Sequence, residues 1–345
     1  MGRKVIAIWL SLIMIVGFVV IVDVGMDISL NVGGTTLYVN TTGSGGAYTS
    51  IQDAINNASD GDIVFVYNGT YYENIVVNIT INLTGENRDT TIIDGGGNGD
   101  VVKITADWVN ISGFAITNSS VFPLDAGLRV SSNFNSIFRN NIYSNEWYAI
   151  IVESNWNNIE SNNISNNEHG LFFDYSNSNT ISNNNISSKN LHSIRIQRSE
   201  GNTFSKNVLT ENGIFFGGNL QHWTLNSIDT SNTINGKSIY YWKNRTSGAI
   251  PLNAGQVILA NCTNVTVEDQ VITNSSIGLQ LGYSSSNQIS NNIISSNIWH
   301  GISLFRSFGN KITGNNISAS PNGIYSYLSN ENNIINNNIS NNGYG

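Results

Sequence analysis

The template Asn-x-Ile-x-x-Asn-x-Ile, returning every 22 or 23 residues, constrains this chain more than any other feature. It begins at Asn135, with Ile137, Asn140 and Ile142. It recurs at Asn157 (Ile159, Asn162, Ile164), Asn179 (Ile181, Asn184, Ile186) and Asn202 (Phe204, Asn207, Leu209). After an interruption it returns at Asn287 (Ile289, Asn292, Ile294), Asn310 (Ile312, Asn315, Ile317) and Asn332 (Ile334, Asn337, Ile339). A degenerate copy reads from Asn264, with Asp269 in the middle place. A period of this length marks a repeat unit too small to bury its own apolar side; stacked units bury a continuous core.

A second signature follows, a small residue and then alternating apolar positions. The copies are Ala149-Ile150-Ile151-Val152, Gly170-Leu171-Phe172-Phe173, Ser193-Ile194-Arg195-Ile196, Gly278-Leu279-Gln280-Leu281 and Gly301-Ile302-Ser303-Leu304. Alternation with period two means short half-buried strands. Asn suits the turns between them, because it tolerates left-handed backbone and its amide bonds locally. Stacked, Asn140, Asn162, Asn184 and Asn207 form an amide ladder. A leucine-rich horseshoe has a similar period but requires a Leu consensus and a helix in each unit, and neither is present.

The expected fold is therefore all-β, a right-handed parallel β-helix of about 22-residue coils spanning residues 35–345. Thr49 to Ala58 reads as a short amphipathic helix capping the N-terminal end of its core. Residues 213–261 interrupt the period and read as an irregular bulge, although Ile239, Tyr241, Val257 and Leu259 look like core positions. The last repeat runs into Gly343-Tyr344-Gly345 without a recognisable C-terminal cap.

Composition agrees. Asn makes up roughly one residue in six, while charged residues are 11% and Pro numbers three. Disorder is excluded by the regular spacing of the apolar residues. The net charge is −8, with no basic cluster, which excludes a nucleic-acid partner. The one cysteine, Cys262, forms no intrachain disulfide and reads as a small buried residue.

Arg3 and Lys4 precede an apolar run from Val5 to Val22. Residues 1–24 read as a signal peptide or a membrane anchor, followed by a linker over 25–34. Either reading exports the rest to the extracellular side or the cell surface, with membrane contact only through this segment. Fifteen Asn-x-Ser/Thr sequons accord with export; the glycosylation candidates include Asn40, Asn68, Asn78, Asn110, Asn163, Asn185, Asn244, Asn264, Asn316 and Asn338.

Several stretches resemble a known group. Ser50-Ile51-Gln52-Asp53-Ala54-Ile55, Asp60-Gly61-Asp62 and Gly69-Thr70-Tyr71-Tyr72-Glu73 resemble the opening of pectin-lyase-like right-handed β-helices. The Asn-x-Ile-x-x-Asn coils and Asn232-Thr233-Ile234-Asn235-Gly236-Lys237-Ser238-Ile239-Tyr240-Tyr241 resemble the NosD-like branch, which implies an exported protein of archaeal type. The resemblance speaks for the fold; the same fold carries lyases, hydrolases, adhesins and metal-delivery accessories.

Aligning the coils stacks the outward side chains. One row reads Ile151, Phe172, Arg195; the next reads Glu153, Asp174, Gln197; Tyr148, His169 and His192 precede them in matching places. Neighbouring coils lie about 4.8 Å apart, so these groups form one patch. Glu153, Asp174 and Arg195 are the catalytic candidates, and Tyr148, His169, Phe172 and His192 the ligand-binding ones. Paired carboxylates would serve a glycosidase. Carboxylates holding Ca²⁺ with Arg195 as base would serve a polysaccharide lyase. A metal site at His169, His192 and Asp174 would serve the copper handling that the NosD-like resemblance implies. With one Cys, and all three methionines in the first 26 residues, no metal or other cofactor is expected. The aromatics Trp147, Trp156, Trp223, Trp242, Trp299, Tyr325 and Tyr327 are candidates for stacking on sugar rings, and His222 and His300 have no recognisable partner. The leading expectation is an exported, N-glycosylated surface scaffold whose partner is a polysaccharide or cell-surface component; the alternatives are a polysaccharide lyase or glycoside hydrolase, and a copper accessory.

Overall fold

The computed structural model describes residues 34–345, so the segment read as a signal peptide or anchor, and all but the last residue of the stretch read as a linker, lie outside the described residues. Among the described residues no helix is long and apolar enough to cross a membrane. The fold is a right-handed parallel β-helix of stacked coils with two short helices, α1 (Ile51–Asn56) and α2 (Leu220–Thr224).

From residue 63 to residue 217 each coil contributes one strand to each of three sheets. The nine-stranded sheet runs from Thr36–Val39 to Ser227–Ile228 and the seven-stranded sheet from Ile75–Val77 to Ile214–Gly217. The third sheet runs from Gly69–Tyr72 to Thr233–Ile234 and continues beyond it. Register is strict: Ile111, Ile137, Ile159, Ile181 and Phe204 align in one sheet, and Ile116, Ile142, Ile164, Ile186 and Leu209 in another. All are buried, which is why the template demands an apolar residue at each Ile position.

The Asn ladder exists, and it is double. Asn140, Asn162, Asn184 and Asn207 are fully buried; the Oδ1 atoms of Asn162, Asn184 and Asn207 accept from the backbone N–H of the Asn one coil earlier at 3.0–3.1 Å, and that of Asn140 accepts from Phe114 N–H at 3.1 Å. Each Nδ2 reaches back to a carbonyl of the earlier coil, as Asn184 does to Ile159 at 2.8 Å. Asn135, Asn157, Asn179, Asn202 and Asn226 repeat the pattern at the other template position. The turn explanation for these residues needs correction. The left-handed residue is the one before the ladder Asn: Arg139, Ser161, Asn183 and Lys206 have φ of 54–58°. Asn is required at the ladder position because a buried amide can satisfy two coils' backbone groups at once.

The N-terminal helix caps the core as expected, over a shorter span. Ile51, Ala54 and Ile55 face the first coil. Ser50 caps the helix through Asp53 N–H, while the Glu73 carboxylate accepts from Ser50 Oγ and from the N–H groups of Ile51 and Gln52 at 2.8–2.9 Å.

Residues 213–261 are a joint between two stacks. Thr233–Ile234 turns through Asn235-Gly236 into Lys237–Lys243, an antiparallel pairing in an otherwise parallel ladder. That strand opens a second stack whose sheets are its own five strands of the thirteen-stranded sheet, a five-stranded sheet and a four-stranded sheet. The strand faces divide between two cores. Ile239, Tyr241, Ile258 and Ala260 pack into the first core, whereas Val257, Leu259, Leu279 and Leu281 pack into the second. One sheet of the second stack thus walls off the open end of the first. The exposed backbone edge at Ile214–Gly217 meets side chains instead of another strand. Gln256 donates to Ile214 C=O at 2.8 Å and accepts from Ile214 N–H at 2.9 Å; Gln280 does the same with Ile214 C=O and Phe216 N–H.

Register also corrects the degenerate copy. Val267 pairs with Ile289, which sets Val265 opposite Asn287 and Gln270 opposite Asn292. Gln270, not Asp269, takes the ladder place; its amide donates to Pro251 and Glu268 carbonyls while its oxygen accepts from Ala254 N–H. Asp269 occupies the left-handed turn position before it.

Candidate functional site at the joint

The outer face of the seven-stranded sheet carries the rows expected from coil alignment. Ile151 pairs with Phe172 and Phe172 with Arg195; Tyr148 pairs with His169 and Asp174 with Gln197. Their chemistry differs from the expectation. Glu153 is bound by Arg129 at 3.0 Å, and Arg129 also bonds Asp100 at 2.6 Å. Asp174 is bound by Arg198 at 2.7 Å. Both carboxylates are thus engaged by their own arginine. Arg195 approaches neither; it donates to Tyr148 Oη at 3.3 Å and Gln197 at 2.7 Å, and lies 4.9 Å over the Phe172 ring. Arg129 and Arg198 escaped the sequence reading. Arg129 lies in an irregular coil one register step before Ile151, and Arg198 at a left-handed turn outside the strand pattern.

Tyr148, His169, Phe172 and His192 are between 2% and 6% exposed, so they offer no free face to a ligand. They form a file of rings: Tyr148 on His169 at 4.5 Å, His169 beside His192 at 5.8 Å, and His192 on Phe215 at 5.0 Å. The file crosses the joint, since His192 also meets Trp299 at 5.0 Å, Trp299 stacks on His300 at 4.7 Å, and His300 on Tyr325 at 4.5 Å. Burial, reinforced by the Arg195 charge, pulls the His169 pKa down to about 4. Burial does the same to His300, to about 4, and holds His192 well below the ordinary value, with His169, Arg195 and His300 adding to it. These three are neutral aromatic rings at pH 7. His222 belongs elsewhere, in the capping box of α2 with Asn219.

Where the file crosses, the wall between the stacks opens into a cavity of about 350 Å³. Phe215, Trp223, Trp299, Phe305, Tyr325 and Tyr327 supply aromatic walls, and Gln280, His300, Ser303 and Asn322 polar ones. Trp223 is buried and its indole N–H has no hydrogen-bond partner. Tyr325 and Tyr327 are 41% and 47% exposed at its mouth. The sequence flagged Trp223, Trp299, Tyr325 and Tyr327 one at a time. Nothing in it placed them around one space, because the joint that assembles them lies in the aperiodic segment.

The sequence matches the model of the NosD family, described as a periplasmic copper-binding protein, over residues 55–250 and 217–345. This chain belongs to the NosD family. No curated protein shows detectable sequence similarity to it. Among solved structures, this NosD-family chain is similar to the A-module of the Azotobacter vinelandii mannuronan C-5 epimerase AlgE4, with 16% identity, a TM-score of 0.50, and coverage of 86% of this chain and 93% of that one. It is also similar to the catalytic domain of a GH87 α-1,3-glucanase in complex with nigerose, with 13% identity, a TM-score of 0.50, and coverage of 88% and 69%. At these identities the likeness is one of fold.

Copper ligands do not assemble among the described residues. No three His, Cys, Asp or Glu side chains come together there. His169, His192 and His300 are engaged ring on ring, His222 caps α2, and burial pushes the Cys262 thiol pKa up. The three methionines fall within residues 1–26, outside the described part. The described residues therefore do not fit a bound copper ion.

Proposed function

We propose that this NosD-family β-helix is an exported surface scaffold that binds carbohydrate without turning it over, and that the cavity at the joint is its contact site. The observation that carries the reading is the combination there of aromatic walls, with Tyr325 and Tyr327 exposed at the mouth, and the neutral hydroxyl and amide groups of Ser303 and Asn322. Sugar rings present C–H faces for aromatic side chains and hydroxyls for such polar groups, and a charged site is not needed for either. The ion pairs at Glu153 and Asp174 support binding over hydrolysis, because a general acid or base must be free to exchange protons with substrate. Exposed sequons, among them Asn68, Asn78, Asn244 and Asn264, support an N-glycosylated outer surface.

The test is a panel of glycans and polysaccharides incubated with residues 35–345, with and without Ca²⁺. Binding is expected without new reducing ends or unsaturated uronates. Replacing Tyr325 and Tyr327 together with Ala should weaken it by about tenfold or more. Turnover that disappears in Glu153→Gln or Asp174→Asn would replace this reading with a lyase or hydrolase. Absence of binding to any glycan would remove the carbohydrate reading.

A further inference from the structure

A second groove lies away from the joint, on the first stack, with a volume of about 740 Å³. Its floor is the row of left-handed turn residues Gly113, Arg139, Ser161 and Asn183, one from each of four successive coils. Asn163 and Asn185 line one side on two neighbouring coils; Asn185 Nδ2 donates to Asn163 Oδ1 at 3.2 Å, which leaves Asn163 Nδ2 and Asn185 Oδ1 for a ligand. The loop carrying Glu86, Asn87 and Arg88 borders it. That loop is fixed from a distance: Asn141 Nδ2 donates to Arg88 C=O at 3.1 Å and to Asp89 Oδ1 at 2.7 Å, and Asn68 N–H is bound by Glu86 at 2.9 Å.

The arginines single this groove out. Among the described residues, Arg129 and Arg198 pair with carboxylates. Arg195, Arg245 and Arg306 lie over aromatic rings. Arg88 and Arg139 alone have no carboxylate within ion-pair distance, no side-chain hydrogen bond and no ring contact, and both line the same groove. In a chain of net charge −8, two unpaired guanidiniums converging on one space are not an average of the surface. Gly113 and Ser161, the small neighbours of Arg139 in its row, leave its guanidinium uncovered along the groove. Glu86 is the acidic group in the lining, and it is engaged by the Asn68 backbone.

We propose that this groove binds an acidic polysaccharide, with Arg88 and Arg139 taking the carboxylates of uronic-acid units and the Asn163 and Asn185 amides taking their hydroxyls. A guanidinium matches a carboxylate with two parallel hydrogen bonds, and an amide serves a hydroxyl as donor and acceptor. The proposal rests on the carbohydrate reading for the class of polymer, but uses a site that shares no residue with the joint cavity. It also requires the Asn163 and Asn185 sequons to be unmodified, because a glycan on either would fill the groove.

The experiment measures binding of oligogalacturonate, of its methyl ester, of a sulfated glycan and of a neutral glucan to residues 35–345. Variants Arg88→Gln, Arg139→Gln and Tyr325→Ala are compared, with glycopeptide mapping of the protein from its native host. The acid form should bind, weakening about tenfold with each arginine variant and weakening further as salt is raised, while the ester should not bind. Tyr325→Ala should leave this binding unchanged. Equal binding of acid and ester, loss with Tyr325→Ala but not with the arginine variants, preference for the sulfated glycan, or a glycan on Asn163 or Asn185 would each overturn the groove assignment. None of these would by itself touch the joint cavity, whose own readout is the neutral glucan and Tyr325→Ala.

Discussion

The two stacks use one coil template and begin it differently. The first is closed at both ends, by α1 with Ile51, Ala54 and Ile55 and by the sheet face carrying Ile239, Tyr241, Ile258 and Ala260. Its core includes Phe114, Phe173, Phe204 and Phe216, all but fully buried. The second stack has an aliphatic core, mainly of Ile, Leu and Val, and it begins without a helix, on the sheet face carrying Val257, Leu259, Leu279 and Leu281. A coil in the middle of either stack needs only the repeat, since its neighbours complete its hydrogen bonds. A coil at an end needs residues that the repeat does not encode, and in the first stack these are Glu73, Gln256 and Gln280.

Breaking the joint should produce the largest effect. Replacing Gln256 and Gln280 with Ala leaves Ile214 N–H, Ile214 C=O and Phe216 N–H without partners in a dry interface. Each orphaned group costs about 1–3 kcal/mol. Chemical denaturation should show a fall of several kcal/mol, centred on the first stack. Retention of wild-type stability would mean that the second stack does not close the first.

Acid should loosen the same region. A histidine whose folded pKa is depressed contributes stability that is complete above its unfolded value of about 6.5 and is lost as pH falls toward the folded value. For His169 and His300 that window runs from about 6.5 down to about 4. His169 alone accounts for roughly 3 kcal/mol across it. Melting temperature measured between pH 7 and pH 4 should drop, and the drop should be smaller in His169→Phe, which keeps a ring in the file and removes the titration. An equally steep drop in that variant would assign the acid sensitivity elsewhere.

The finest comparison is between rungs of the Asn ladders. Asn184 is buried and bonded on both sides, to Asn162 and Ile159 and to Asn207. Asn184→Ala should cost about 1–3 kcal/mol. Asn337 in the last coil is half-buried and bonded to the coil before it through Asn315 N–H and Ile312 C=O. Asn337→Ala should cost less than about 1 kcal/mol, because water can reach the groups it releases. Equal losses at the two positions would show that burial does not set the value of a rung.

Periodic information was fully legible in the sequence. The Ile positions, the Asn140 to Asn207 ladder and the stacking of Ile151, Phe172 and Arg195 follow from aligning copies at 22 or 23 residues, and the capping helix from the amphipathic pattern of Thr49 to Ala58. The partners of the charged patch were not legible. Arg129 and Arg198 stand outside the aligned signatures, and a coil alignment places side chains in rows without saying which of them bond. The joint was read as a bulge for the same reason: Gln256 and Gln280 look like outward polar residues of ordinary strands until the neighbouring stack's edge is seen against them. The Gln270 substitution in the ladder was masked by a one-residue shift, which Asn264 and Asp269 imitate in the sequence.

Because the second stack is fastened to the first through Gln side chains bonded to main chain, the two arms are not strung on a tether. The distance between the joint cavity and the arginine groove is a constant of the fold. If both proposed sites take the same polymer, a long chain that occupies one meets the other at a single separation, where a flexible linker would spread it over many. The second contact then operates at a high effective concentration, so two weak sites can give tight retention of a chain whose repeat matches that separation and poor retention of one whose repeat does not.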